Sequence, residues 1–365
     1  MPFSDSLYLH AFNLLSEFGP VRLYKIGQAF PNFKAAYEAD AKTLESRGIE
    51  RGIAEKFVEF KKTLHLNSEW EKLNRENIWL LSYKDQNYPK LLLEISKPPS
   101  LLYVKGKMES NEELCVAVVG TRKISNYGRT VVPFLVEPLV KSGITIVSGL
   151  AYGVDSTAHE ISLSGNRRTI AVLGGGLDEK NLYPKHHALL AEKIIKTGGA
   201  LISEYPMGVP NLKHHFVLRN RIISGLSVAT VVVECDLESG TLITAKHALD
   251  QNRTVYSVPG PIYAETSKGP NNLIKMGAKL ITEANDILED LNLKKYGQTQ
   301  ETQELFGDTA EENIILKKLS REPIGINEII KQSELNAAQA TSALTFLEMK
   351  GKIRNLGGQQ YILSR

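Results

Sequence analysis

Two sets of residues in this 365-residue chain have the types and spacing to hold an anion. The first is a series of glycine-rich, small-polar turns, each following an apolar run. They are Gly120-Thr121-Arg122-Lys123, with Ser125, Tyr127 and Gly128 close behind; Ser148-Gly149-Leu150-Ala151-Tyr152-Gly153-Val154-Asp155; Gly174-Gly175-Gly176; and Glu234 followed by Glu238-Ser239-Gly240-Thr241. Glycine lets the backbone approach an anion, and a helix start offers free N–H groups and the positive end of its dipole. One such turn would be only a tight turn, but four on one sheet edge make an anion groove the better reading. The second set is Lys213-His214-His215-Phe216-Val217-Leu218-Arg219-Asn220-Arg221. Its three fixed positive charges suit phosphate oxygens, and its phenylalanine offers a face for a base. That mixture fits a single strand, whose bases are free to stack. A solvated loop with Phe216 in the core fits the same residues, and the segment alone leaves both readings open.

The usual signatures of nucleotide enzymes are missing. There is no G-x-x-x-x-G-K-[ST], no G-x-G-x-x-G opening the first crossover, and no G-x-S-x-G elbow. Asp155 and His159, four apart, share a helix face. A catalytic pair there is less ordinary than a helix-start acid beside a surface histidine. Cys115 and Cys235 are the only cysteines, each in a run that reads as a buried strand, so neither a disulfide framework nor a metal site is expected. No catalytic residue, metal or cofactor is expected.

The elements that must position these turns are strongly periodic. Apolar runs begin near Leu114, Ile144, Thr169, Ala200, Ala229, Thr254 and Lys279, and helix-length segments such as 127–141, 185–197 and 242–250 lie between most of them. Strand–helix alternation of this kind means crossover units and a mainly parallel, extended Rossmann-like α/β sheet. The unalternating runs Val116-Ala117-Val118-Val119 and Val231-Val232-Val233 fit strands covered on both faces. Two strand-like stretches, 78–83 and 101–104, should sit at the sheet edge. Residues 1–75 read as short helices, Leu7, Leu14, Leu15 and Phe18 giving one that Gly19-Pro20 ends. Helix–glycine–helix units of this sort look like helix-hairpin-helix or SAM-like modules, and an ordinary helical bundle gives the same pattern. The sheet domain should occupy 76–292, and a polar linker 293–310. Residues 311–365 carry three helices and a closing hairpin around Gly357-Gly358, a winged-helix-like pattern suited to either DNA or protein contact.

Apolar residues make up 42% of the chain and charged residues 23%, and the net charge is only +3. Any polyanion site is therefore a local cluster rather than a whole-protein field. No signal peptide is visible in residues 1–12 and no apolar run is long enough for a membrane span, so a cytoplasmic protein without membrane contact is expected.

Seven runs then make the sequence resemble one family. They are Gly120-Thr121-Arg122, Ser148-Gly149-Leu150-Ala151-x-Gly153-x-Asp155, Tyr183-Pro184, Ser203-Glu204-Tyr205-Pro206-x-Gly208, Arg219-Asn220-Arg221-Ile222-Ile223-Ser224-Gly225, Glu238-Ser239-Gly240 and Val258-Pro259-Gly260. In this order they are similar to the signature runs of the DprA (Smf) family, whose core the stretch 113–290 resembles. The resemblance implies a protein of natural transformation and recombination that binds single-stranded DNA without sequence preference, acts against single-strand-binding protein, and loads RecA. It also implies a homodimer through the Rossmann-like domain, with residues 269–278 and the preceding strand as the expected face. Carried over by motif, Arg122 and Lys213 would clamp neighbouring phosphates and Phe216 would stack a base. Gly120, Thr121, Ser148, Gly149, Gly174, Ser239, Gly240 and Thr241 would line the groove. Arg219 and Arg221 would be further contacts, with buried structural roles equally open. Val217 stands where the family usually has proline, which bears on the loop expected to present Phe216.

A second class remains in view, an enzyme on nucleotides. Glu238-Ser239-Gly240-Thr241 is similar to part of the loop of lysine-decarboxylase-like phosphoribohydrolases, but the Pro-Gly-Gly of that loop is missing and no glutamate follows Thr241 at its spacing. Release of ribose phosphate from a nucleoside monophosphate would favour the enzyme over a non-catalytic recombination mediator.

Overall fold

The apolar runs become strands of one sheet. Its members are β1 (Ile78–Ser82), β2 (Leu101–Gly106), β3 (Cys115–Val119), β4 (Thr145–Ser148), β5 (Thr169–Leu173), β6 (Ala200–Ser203), β7 (Ala229–Val232), β8 (Thr254–Ser257) and β9 (Lys279–Leu280). The spatial order is β1-β2-β6-β5-β4-β3-β7-β8-β9. From β6 to β9 every neighbouring pair is parallel, while β2 runs antiparallel to β6 and β1 to β2. The chain builds outward from β3 to β6, then crosses back and places β7 on the other side of β3. Beyond the carboxyl ends of β3 and β7 lies the crevice where such sheets take ligands. The computed structural model describes residues 4–108, 114–292, 307–320 and 323–363. They fall into two units, Met1–Tyr296 and Gly297–Arg365. No helix among the described residues is long and apolar enough to cross a membrane.

The pleat of β3 shows why its residues are apolar without alternation. Cys115, Ala117 and Val119 point to one core, with Ile222 and Ile223 of helix Lys213–Gly225, its C-cap Leu226, and Ala245 and Ala248 of helix Gly240–Asp250. Val116 and Val118 point to the other, with Val132, Leu135, Val136 and Leu139 of helix Asn126–Lys141 and Val154 and Ala158 of helix Val154–Ser164. Both faces are dry, so every position must be apolar. Cys235 lies just past β7, and both it and Cys115 are buried and outside any disulfide.

The N-terminal helices share a core with the sheet. Phe12 and Phe57 stack with centroids 4.0 Å apart, and their cluster extends to Tyr103 of β2, Leu173 of β5 and Leu201 of β6. The boundary at residue 75 is thus a change of element type that the core crosses. One detail departs from the sequence reading: the first helix, Asp5–Asn13, stops early, and Gly19-Pro20 opens the next helix, Pro20–Ala29. Proline at the first helical position forfeits an N–H that has no intrahelical partner anyway. β8 pairs on its outer side with β9, the strand expected at Lys279, which is therefore the outermost strand beside helix Glu265–Lys275.

The second unit contains helices Ala310–Lys318, Ile326–Ser333 and Ala337–Met349 and the antiparallel strands β10 (Ile324–Gly325), β11 (Ile353–Asn355) and β12 (Gln360–Leu363). Ile315, Ile329, Leu344 and Leu347 form its centre, as the helical spacing requires. Of the expected linker, residues 293–306 lie outside the described residues, and Thr309 caps the first helix by accepting from the Glu312 N–H.

Phe57→Ala should remove the stacked partner of Phe12 and cost about 3–5 kcal/mol. Urea unfolding followed by circular dichroism checks it, and an unchanged midpoint would place Phe57 outside the structural core.

Candidate nucleic-acid interface

The segment expected as a basic loop is a helix, Lys213–Gly225. His215, Arg219, Ile222 and Ile223 recur on one buried face, and the two polar residues among them hide the helical period from a hydrophobicity reading. Val217, where the family usually has proline, sits within the first turns of this helix and is 39% exposed.

Arg219 is the organising residue. Its guanidinium lies inside the protein, donates to the Gly149 carbonyl at 2.9 Å, and donates also to the Val172 carbonyl. A Cβ on residue 149 would lie 2.4 Å from Arg219 Nη1, so only glycine admits this approach. The N–H of the same Gly149 donates to Asp155 Oδ2 at 3.0 Å. Burial draws the Arg219 guanidinium down to about 10, with the Asp155 charge opposing that fall, and it stays protonated at neutral pH. Burial likewise raises the Asp155 carboxyl, and Arg219 and the Gly149 and Ala151 N–H groups counter the rise.

Glu234, at the end of the β7 run, does the same for the first turn. It is buried, accepts from the Ser125 N–H at 3.0 Å and the Ser125 hydroxyl at 2.5 Å, and accepts from Thr266 Oγ1 at 3.1 Å. Its backbone carbonyl takes the Thr121 N–H at 2.6 Å. Thr241 Oγ1 donates to the Gly120 carbonyl at 3.0 Å, and Ser239 caps helix Gly240–Asp250. The turns after β3, β4 and β7 are thereby tied into one edge.

On the solvent side of that edge, Phe216 lies half-buried over Gly174, where a Cβ would meet its ring at 3.0 Å. The Arg122 guanidinium stands 5.5 Å from the Phe216 centroid and that of Arg219 5.9 Å. Arg122, Lys123 and Lys213 are exposed and have no ion-pair partner among the described residues. Gly240 is also exposed, with nothing near the position a Cβ would take, so its own packing does not demand glycine. Other expected contacts face inward. The Ser148 hydroxyl donates to Val118 O at 2.7 Å with the residue fully buried, because the residue ends a strand covered on both sides. Arg221 Nη2 donates to both carboxylate oxygens of Glu204, at 2.6 and 2.7 Å. The structure therefore gives Ser148, Arg219 and Arg221 supporting positions behind the edge and leaves Arg122, Lys213 and Phe216 in front. Lys123 and Tyr183 join the front as well. The sequence carried both in its motifs, but without the fold nothing distinguished them from other surface residues.

Asp155 and His159 do share a helix, but both are buried, and His159 is no surface histidine. Thr169 Oγ1 donates to Ile146 O at 2.6 Å, so at 2.8 Å it accepts from His159 Nδ1–H, which fixes the neutral tautomer. Burial, with the nearby His187 and Arg219 charges, lowers His159 to about 3.

Comparison with known proteins places this geometry. The model of DNA recombination-mediator protein A matches residues 79–292, and that of the DprA winged helix domain matches 299–359. Protein Smf of Escherichia coli K12 is 36% identical over 333 residues, covering 89% of this chain and 88% of that protein. The crystal structure of DNA processing protein A from Streptococcus pneumoniae superposes with a TM-score of 0.66 at 31% identity, covering 80% of this chain and 99% of the other. A structure of DNA processing protein A from Helicobacter pylori, reported for its single-stranded DNA binding mode, gives a TM-score of 0.53 at 29% identity over 60% of this chain and 99% of the other.

Arg219→Ala would leave Asp155 buried without its cation and should cost on the order of 3–5 kcal/mol. In denaturant titrations, Arg219→Met combined with Asp155→Asn should cost less than the two single changes summed. Strict additivity would dissolve the proposed coupling. His159 adds a pH dependence. Its folded value lies below the ordinary one, so the unfolded chain binds the extra proton. Its contribution is complete above about pH 6.5 and falls by about 1.4 kcal/mol per unit as pH drops toward 3. His159→Gln should flatten the loss of stability between pH 6.5 and 5, and an identical slope in both proteins would refute this.

Proposed function

The chain belongs to the DNA recombination-mediator protein A (DprA, Smf) family of DNA-processing proteins, and from that footing we propose that it binds single-stranded DNA without sequence preference at the carboxyl edge of its sheet. The observation that carries the reading is the juxtaposition of Arg122 and Phe216, an exposed guanidinium 5.5 Å from a half-buried ring, with the exposed cations Lys123 and Lys213, which have no ion-pair partner among the described residues. Cations for phosphates and a ring for a base are what a strand with unstacked bases requires, and neither reads sequence. The start of helix Lys213–Gly225 supports the same reading. It carries Lys213 and no acidic residue in its first turn, so positive charge gathers at the positive end of the dipole. A bound phosphate relieves that repulsion. The exposed Gly240 leaves room for backbone to approach backbone.

The proposed role is that of a non-catalytic mediator in the cytoplasm, loading RecA during recombination and natural transformation and opposing single-strand-binding protein. Asp155 and His159, the pair with most resemblance to a catalytic dyad, are occupied with inward hydrogen bonds, which favours this over the nucleotide-enzyme alternative. The proposed homodimer uses the face of residues 269–278 and the preceding strand β8, which β9 borders; nearby Ile262, Met276 and Leu280 are 74%, 73% and 50% exposed. Apolar surface of that kind suits a partner better than water.

Affinity for an oligo-dT strand should fall steeply with salt. Arg122→Ala and Lys213→Ala should each weaken it and reduce the log–log salt slope by about 0.7. Phe216→Ala should cost on the order of 1–3 kcal/mol of binding. Fluorescence anisotropy across a salt series measures all three, and wild-type curves for all three would end the assignment.

A further inference from the structure

The edge offers more aromatic surface than Phe216. Tyr183, in the loop after β5, has its ring centroid 5.7 Å from that of Phe216 and is 42% exposed. Its hydroxyl has no hydrogen-bond partner among the described residues. Tyr152, in the loop after β4, is 38% exposed. Its hydroxyl lies 3.1 Å from His186 Nδ1, and its ring meets that of His187 edge-on at 4.9 Å. His187 Nδ1–H in turn donates to Leu150 O at 2.8 Å, which anchors the two loops to each other. On the other side, residue 153 passes so close to the first turn that a Cβ there would lie 2.9 Å from the Arg122 carbonyl oxygen, and its φ of +78° also favours glycine. Contacts thus join Arg122, Phe216 and Tyr183 on one side and Tyr152, His186 and the Arg122 backbone on the other, and residues 184–185 connect the two sets along the chain. Lys123 and Lys185 stand exposed beside it without ion-pair partners among the described residues.

We propose that Tyr183 and Tyr152 are further base-stacking platforms beside Phe216, so that the edge holds successive unpaired bases while Lys123 and Lys185 take the phosphates between them. The inference rests on the single-strand reading above and extends it from one ring to three. Core packing does not account for either tyrosine, since each residue stays more than a third exposed. Rings accompanied by exposed cations without ion-pair partners among the described residues suit the alternation of base and phosphate along a strand. Stacking on such rings tolerates any base, because every base has a π-face. A neutral sugar polymer would use the rings and leave the cations unmatched.

The test uses the full chain and oligo-dT strands in which one thymine at a time is replaced by 5-iodouracil, which couples on irradiation to the aromatic ring against it. Mass spectrometry of the cross-linked peptides is expected to find Phe216, Tyr183 and Tyr152. Tyr183→Leu and Tyr152→Leu should each weaken oligo-dT binding by about 5- to 100-fold, and Tyr183→Phe and Tyr152→Phe should retain it. Cross-links at Phe216 alone, with unchanged affinity in the leucine variants, would overturn this inference and leave the single-strand reading intact. Cross-links at none of the three, with Phe216→Ala binding normally, would overturn both. Equal losses in the leucine and phenylalanine variants would show that the hydroxyls act rather than the ring faces, and would also overturn it.

Discussion

A buried guanidinium holds this site together. Arg219 reaches from helix Lys213–Gly225 into the sheet and satisfies the carbonyls of Gly149 and Val172, one on each of two neighbouring strand ends. A charge in such a place is costly unless it is bonded and balanced. Here the backbone supplies the bonds and Asp155 the balance. Because one side chain spans a helix and two strands, the position of Phe216, one turn earlier on that helix, is fixed relative to Gly174 and Arg122. The acceptors sit at the carboxyl ends of parallel strands, where carbonyl oxygens are unpaired and a donor with several N–H groups is most useful.

Glu234 is the counterpart with opposite sign. It gathers donors from Ser125 and Thr266, while Thr241 binds the neighbouring Gly120 carbonyl. Glu234 binds the turn after β3 from the end of β7, and Arg219 binds the turn after β4 together with the end of β5. Backbone turns rich in glycine are loose by themselves. These turns are shaped by side chains that come from elsewhere in the chain.

Much of the architecture was legible in the sequence, for identifiable reasons. Unalternating runs such as Val116 to Val119 announce strands covered on both faces, and the spacing of the glycine turns announces crossovers. The winged-helix pattern was equally plain, since Ile315, Leu344 and Leu347 keep their period. Helix Lys213–Gly225 was not legible as a helix, because its inner face is built of His215 and Arg219, which hydropathy counts as outward. The same substitution of polar for apolar hid the direction of Ser148 and Arg221. Nor could spacing show that Tyr152 and Tyr183 approach one edge, because they sit on different loops, one after β4 and one after β5. The family signature named most of the residues concerned without distinguishing those that face water from those that hold the others in place.

The helix Lys213–Gly225 thus has two faces with separate duties. Arg219, Arg221, Ile222 and Ile223 anchor it, and Lys213, His214 and Phe216 are presented by it. Side chains on the presenting face can be exchanged without disturbing the anchors, whereas the reverse does not hold. The fold is therefore a mount with replaceable contacts. On the proposed reading, affinity, strand preference and salt tolerance would be re-tuned at a few outward positions of one helix and its adjoining loops, over an unchanged scaffold.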